Sequence, residues 1–266
     1  MRARALAVLG TGSDVGKTLI TAGICRLLHR TGVRVAPFKA QNMSLNSFVT
    51  PDGREIGRAQ ALQAEACGIP PHIDMNPILL KPQSDNRSQV VVLGEVSGKE
   101  DAKTYFDGRR RLWSIIEESY GRLATQYDEV VIEGAGSAAE MNLRERDVVN
   151  WPVVKLANAQ VLLIADIDRG GVFAQVIGTL DLLEPAERAR VCGVISLAQK
   201  SSADVPLDSD YPLGISHVFS DEVALPALAK ILLNTGSCID IDVHQIRSGC
   251  RYSPFSCQPS TSRYTA

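Results

Sequence analysis

Apolar positions in the first two thirds of the chain fall into short, nearly continuous runs separated by amphipathic stretches. Runs at residues 5–10, 33–38, 90–93, 129–133, 161–165 and 191–195 are short, mostly β-branched and bounded by Gly, Asp or Asn, which predicts strands. Unbroken apolar runs, as opposed to alternating ones, belong to strands buried on both faces, as in a parallel sheet. Between them the period lengthens to that of a helix. Residues 16–30 put Ile20, Ile24, Leu27 and Leu28 on one face, and a later helix carries Leu112, Ile115, Ile116 and Leu123. The pattern predicts an α/β fold, a mostly parallel sheet with helices on both faces.

After Ile195 the pattern changes. Residues 196–211 have no clear period, 222–233 predict one short helix, and 247–266 are rich in Ser, Arg, Cys and Pro. The expected organisation is one α/β domain over residues 1–195 and a divergent, poorly structured C-terminal tail over 196–266.

With 266 residues and 45% hydrophobic content, the chain can bury a full core. Its 28 basic and 30 acidic residues nearly cancel, leaving a net charge of -2 and no electrostatic footprint for nucleic acid or an acidic membrane. A small-molecule partner is expected, with neither nucleic acid nor membrane. Arg2 and Arg4 precede a short apolar run that flows into a glycine loop, so the run reads as a first buried strand and not as a signal peptide. Cys25, Cys67, Cys192, Cys238, Cys250 and Cys257 form no C-x-x-C pair. Buried free thiols in a reducing cytoplasm are expected, without disulfides or zinc.

The strongest chemical signal is Gly10-Thr11-Gly12-Ser13-Asp14-Val15-Gly16-Lys17-Thr18, set between a predicted strand and a predicted helix. In that setting the N–H groups of Gly12, Ser13, Asp14, Val15 and Gly16 can converge on phosphate oxygens, Lys17 can reach the terminal phosphates, and Thr18 can ligate Mg²⁺. An NTP site in a P-loop NTPase-like fold follows. Thr11 stands where the first loop glycine is expected, and Gly10 comes one residue earlier. The competing reading is a Gly-rich strand-to-helix turn with a surface lysine.

Two further strands end in acid. Glu133 closes a buried run and is followed by Gly134-Ala135-Gly136-Ser137; Asp166 and Asp168 close another, followed by Arg169-Gly170-Gly171. Ligands of open parallel sheets sit beyond the carboxyl ends of the strands. Glu133 is therefore placed to hold metal beside Thr18, and Asp166 with Arg169 to position a transferring phosphoryl group. The alternatives are a helix-capping Glu and solvated charges. Lys39, one residue past the second strand, adds a cation at the same edge, and Gln41, Asn42 and Asn46 form an amide-rich loop suited to carboxamides and carboxylates.

These residues resemble the cobyric acid synthase family. The resemblance is carried by Phe38-Lys39-Ala40-Gln41-Asn42-Met43-Ser44-Leu45-Asn46-Ser47, by Glu55-Ile56-Gly57-Arg58-Ala59-Gln60, and by Asn76-Pro77 with Leu80-Lys81-Pro82. Glu133-Gly134-Ala135-Gly136-Ser137, Asn142-Leu143-Arg144-Glu145-Arg146-Asp147 and Asp166-Ile167-Asp168-Arg169-Gly170-Gly171 extend it. The resemblance implies ATP- and Mg²⁺-dependent amidation of corrin-ring carboxylates, taking cobyrinic acid diamide to cobyric acid through an acyl phosphate in cobalamin biosynthesis. It implies catalytic roles for Lys17, Lys39 and Asp166, metal binding by Thr18 and Glu133, and substrate contacts at Gln41, Asn42, Asn46, Ser137 and Arg169. The implied partners are a corrinoid, ammonia or a separate glutaminase, and a second copy of the chain.

The chain also departs from the family pattern. After Ile195 the family continues with an Asn-x-Phe-Arg-Gly-Asp segment, where this chain reads Ser196-Leu197-Ala198-Gln199-Lys200, and no later stretch resembles the family's amidotransferase domain. Ala138 replaces a usual Pro, and Trp151-Pro152 interrupts a usually helical stretch. A reading-frame shift or aberrant exon near codon 195 is the expected cause of the break, with a truncated paralogue as the alternative. Two other readings stand beside the ligase: an inactive nucleotide-binding remnant, and a ParA/MinD-type switch ATPase. Switch ATPases of that type carry an extra lysine early in the loop, where this chain has Thr11 and Gly12.

Overall fold

A computed structural model describes residues 3–84, 87–101, 109–197, 213–219 and 239–243. Its first unit is strand β1 (Arg4–Gly10), the phosphate loop, helix α1 (Lys17–Arg30) and strand β2 (Val35–Phe38). A short strand β3 (Gln41–Met43) and a hairpin of β4 (Ser47–Val49) and β5 (Glu55–Gly57) follow, before helix α2 (Arg58–Ala66). Strands β6 (Ile78–Ser84), β7 (Arg87–Val92) and β8 (Glu95–Asp101) lead to helix α3 (Arg109–Gln126) and strand β9 (Glu129–Glu133). Helix α4 (Trp151–Ala157), strand β10 (Gln160–Asp166), helices α5 (Val172–Leu182) and α6 (Pro185–Arg188) and strand β11 (Val191–Leu197) complete the α/β unit.

The main sheet runs β2, β9, β1, β10, β11 with every pair parallel. Beyond β11 it continues with β12 (Leu213–Phe219), antiparallel, and β13 (Ile239–Val243), parallel to β12. Side chains alternate across this sheet into two cores. Ala7 and Leu9 pack with Phe38, Ile132, Leu163 and, from α3, Ile116 and Tyr120; Val8 faces the other way with Ile20, Ile24, Val131, Leu162 and Ile164. Burial on both faces is why these strands read as continuous apolar runs. On the first face Phe38 and Tyr120 meet edge to face, ring centres 5.5 Å apart.

The 90–93 run belongs elsewhere than the expected parallel sheet. It lies in β7, antiparallel to β6 and β8 within a separate sheet ordered β3, β6, β7, β8. Leu93 and Gly94, with φ of 48° and 79°, turn the chain back so that Val92 pairs with Glu95. Two successive positive φ values make a tight primed hairpin, which composition alone signalled only by the single glycine. An apolar run of that length is compatible with either sheet, so its period could not assign it.

Strands β12 and β13 were not expected from the sequence. The 222–233 helix and the unstructured stretch at 247–266 fall outside the described residues. Cys25 and Cys67 are buried and free, as expected, and Cys192 is half-buried and free. A hydrogen bond with Cys67, then burial, pushes the Cys25 thiol well up, away from reactivity. Pro152 occupies the first turn of α4, where its missing N–H costs no helical bond, so the family departure at Trp151-Pro152 leaves the helix intact. No helix among the described residues is long and apolar enough to cross a membrane.

Candidate functional site

The loop between β1 and α1 explains the displaced glycine. Thr11 continues the sheet ladder, its N–H donating to the Ile164 carbonyl at 2.8 Å, so the chain turns around Gly10 and Gly12. A Cβ at Gly10 would stand 2.8 Å from both Lys17 Nζ and Val15 Cγ2, a closeness only glycine permits. Asp14 and Gly16 take positive φ (56° and 93°), curling the backbone into the mouth of α1. Val15 is buried beneath the loop, whereas Ser13 and Asp14 are exposed.

Lys17 is buried, and its ammonium donates to the carbonyls of Gly12 (2.7 Å) and Gly136 (2.8 Å), linking the phosphate loop to the turn after β9. Burial, then repulsion from Lys39, lowers its pKa to about 8 against the pull of Glu133, Asp14 and Glu140. The turn itself is held by Asn150. Its amide accepts from Ala135 N–H at 3.0 Å and donates to the Ala135 carbonyl at 2.8 Å, while Oδ1 lies so near Gly134 that a Cβ there would come within 2.4 Å. The Trp151 indole adds a bond to the Ala138 carbonyl at 2.8 Å, and Ala138 N–H donates to Gly10 at 2.7 Å. The two family departures thus touch each other beside the loop.

Strand register delivers the central cluster. Phe38 pairs with Ile132, so the residues that follow them, Lys39 and Glu133, emerge side by side. Lys39 Nζ lies 2.8 Å from Glu133 Oε1, and the Thr18 hydroxyl donates to that same oxygen at 2.8 Å. The other oxygen, Oε2, accepts from the side-chain amides of Gln60 (3.3 Å) and Gln63 (2.5 Å) on α2. Glu133 is 1% exposed, and a carboxylate so buried requires such partners. Asn42 donates to Gln60 Oε1 at 3.0 Å, which joins the β3 segment to this cluster. Asn76 fixes the register from below: it accepts from Gly57 N–H at 2.9 Å and donates to the Lys39 carbonyl at 3.1 Å.

Of the residues singled out in the sequence, Thr18, Lys39, Glu133 and Asn42 lie in one hydrogen-bonded cluster, with Lys17 adjoining it. Asp166 stands on β10, two residues past Ile164, which pairs with Gly10. It is buried, accepts from Asp168 N–H at 2.9 Å and pairs with the exposed Arg169 at 3.0 Å. Ser137 sits on the turn after β9, its N–H directed at Glu140 and its hydroxyl accepting from Ala139 N–H. Gln41 begins β3, and Asn46 is exposed, its carbonyl accepting from Arg58 N–H. The structure brings in three amides that sequence reasoning missed: Gln60, Gln63 and Asn150. The i, i+3 spacing of two glutamines on the buried face of α2 was the available signal for the first two.

A family model described as the CobQ/CobB/MinD/ParA nucleotide binding domain matches residues 6–202. Among curated relatives, the cobyric acid synthase of Sorangium cellulosum is 58% identical over 195 residues, covering 73% of this chain and 38% of that protein. The cobyric acid synthase of Syntrophobacter fumaroxidans is 55% identical over 73% of this chain and 38% of its own length. That of Klebsiella pneumoniae is 55% identical over 76% and 40% respectively. The chain thus spans about two fifths of the length of the relatives it matches. A solved cobyrinic acid a,c-diamide synthase from Mycobacterium smegmatis, with ADP and magnesium, is 14% identical at a TM-score of 0.35, over 88% of this chain and 81% of that one. That likeness is too distant to bear on function. The family match, which spans the phosphate loop and the Lys39–Glu133 cluster, places this chain in the CobQ/CobB/MinD/ParA nucleotide-binding-domain family, with its strong similarity to cobyric acid synthases.

Proposed function

We propose that this domain is the ATP-dependent half of a corrinoid amide ligase, activating ring-side-chain carboxylates of cobyrinic acid diamide as acyl phosphates for attack by ammonia. The observation that carries the reading is the convergence of Lys17, Thr18, Lys39 and Glu133 at the carboxyl edge of adjacent strands. Similarity to proteins named cobyric acid synthase supports the substrate class.

The donor set suits magnesium. Thr18 and Glu133 are hard oxygen donors in mutual contact, and a cation, the Lys39 ammonium, already rests on Glu133 Oε1. Among the described residues there is no cluster of three or more His, Cys, Asp and Glu, so the remaining ligands would be nucleotide phosphates and water, the usual arrangement for magnesium at such sites. When bound, the ion neutralises charge on the β- and γ-phosphates. Lys17 holds the same phosphates from the loop side. Lys39 neutralises the substrate carboxylate or the transferring phosphoryl group, and Asp166 orients Arg169 toward the substrate's anionic groups. Gln41, Asn42, Asn46 and Ser137 line the substrate side. The carboxylate oxygen attacks the γ-phosphorus, the bond to the ADP oxygen breaks, and ammonia then displaces phosphate from the acyl carbon to leave the amide. Nitrogen comes from free ammonia or from a separate glutaminase.

The direct assay is ADP release in the presence of cobyrinic acid diamide and ammonium. Turnover that requires both and vanishes in Lys17→Ala supports the ligase. A folded protein with no turnover at high ammonium overturns it in favour of an inactive remnant.

A further inference from the structure

The residues that hold Glu133 are not all of one kind. Oε1 carries an ammonium and a hydroxyl, partners that an incoming cation can displace or share. Oε2 carries two neutral amides, Gln60 Nε2 and Gln63 Nε2, that have no charge to be repelled by a cation. Both glutamines are fully buried and lie three residues apart on the same face of α2. Each is itself fixed. Gln60 Oε1 accepts from Asn42 at 3.0 Å, which turns its amide N–H₂ toward the carboxylate, and Gln63 also reaches the Thr18 carbonyl at 3.4 Å. The helix bearing them is pressed against its neighbours at Gly57, where a Cβ would come within 2.3 Å of Asn42 Nδ2.

We propose that Gln60 and Gln63 are positioning residues for the nucleotide–metal site, clamping Glu133 Oε2 so that Oε1 stays presented beside Thr18 whether or not Lys39 occupies it. The inference rests on the nucleotide reading given above and deepens it. A carboxylate free to rotate would lose that alignment as Lys39 departs, because both remaining oxygens would compete for the same cation. Two amides on one oxygen remove the choice. Partners that orient a metal ligand in this way commonly govern metal affinity by about tenfold or more.

The test is calorimetric titration of ADP into the whole chain, once with magnesium and once with EDTA, for the wild type, Gln63→Met and Gln60→Met. Methionine keeps the length of the side chain and removes the amide. The expected result is that the magnesium-dependent gain in ADP affinity falls about tenfold in either variant, while affinity in EDTA stays within about twofold. Loss of folded protein alone does not move that ratio, so the readout separates positioning from support of the core. An unchanged ratio in the folded variants overturns the proposal and leaves the nucleotide site standing. Failure of both variants to fold, by circular dichroism, also overturns it and assigns the pair to the core. A wild type that gains nothing from magnesium overturns the nucleotide reading and this inference with it.

Discussion

Lys39 and Glu133, ninety-four residues apart in sequence, form an ion pair of 2.8 Å in which the lysine side chain is 10% exposed and the glutamate 1%. Each is the first residue past a paired position of β2 and β9 or its equal, so the contact is a direct product of parallel register. Removing one partner leaves the other buried without its counter-charge. Lys39→Met is expected to cost about 3 kcal/mol in urea unfolding, the usual penalty for a buried charge left unpaired. Adding Glu133→Gln to it should recover much of that loss, so the double variant is more stable than the sum of the singles predicts. Strict additivity would show that the pair is not coupled.

Nucleotide affinity should depend on pH through Lys17. Its pKa in the free protein is depressed to about 8, chiefly by burial, and bound phosphates favour the charged form and raise it. Below about 8 the ammonium is charged in both states and affinity is flat. Above about 8 binding must take up a proton, so affinity falls as pH rises, by up to about tenfold per unit. Titrations in buffers of different ionisation heat should detect that proton above pH 8, and Lys17→Arg, charged throughout, should abolish the dependence.

Gly57 and Gly23 should answer alanine in opposite directions. Gly57 has an ordinary helical-entry backbone, but its Cβ would collide with Asn42, Gln60 and Asn76, so Gly57→Ala should cost about 1–3 kcal/mol and disturb the Asn42–Gln60 bond. At Gly23, inside α1, nothing lies within 4 Å of an added Cβ. Gly23→Ala should stabilise by about 0.5–1 kcal/mol in the same unfolding assay.

Asn150 holds the turn whose Gly136 carbonyl receives Lys17. Asn150→Ala leaves the Ala135 N–H and carbonyl without their partner, a loss of about 1–3 kcal/mol. It should also weaken ADP binding about fivefold, the size of a one-kcal/mol loosening of the loop, since each 1.4 kcal/mol is tenfold. ADP affinity equal to wild type would show that the turn is held without it.

The five parallel strands of the main sheet and the helices at 16–30 and 112–123 were legible because burial on both faces writes itself as unbroken apolar runs between amphipathic ones. The hairpin sheet was not, because Val90 to Leu93 carries the same apolar signature whichever sheet receives it. Lys39 was legible as a residue at a sheet edge, but its partnership with Glu133 required the strand order β2, β9, β1, which no local pattern contains. Gln60 and Gln63 were hidden for a related reason. Polar side chains on a short helix read as its solvent face, and only the buried carboxylate opposite them makes the inward face the favourable one.

The central claim is that a substrate carboxylate becomes an acyl phosphate, and this leaves an isotopic record. With cobyrinic acid diamide labelled by ¹⁸O in its side-chain carboxylates, and with ATP, magnesium and ammonium, the account predicts that one labelled oxygen passes into each inorganic phosphate released, as read by mass spectrometry. Unlabelled phosphate formed alongside ADP would mean that water and not the carboxylate is phosphorylated, and would contradict the ligase mechanism.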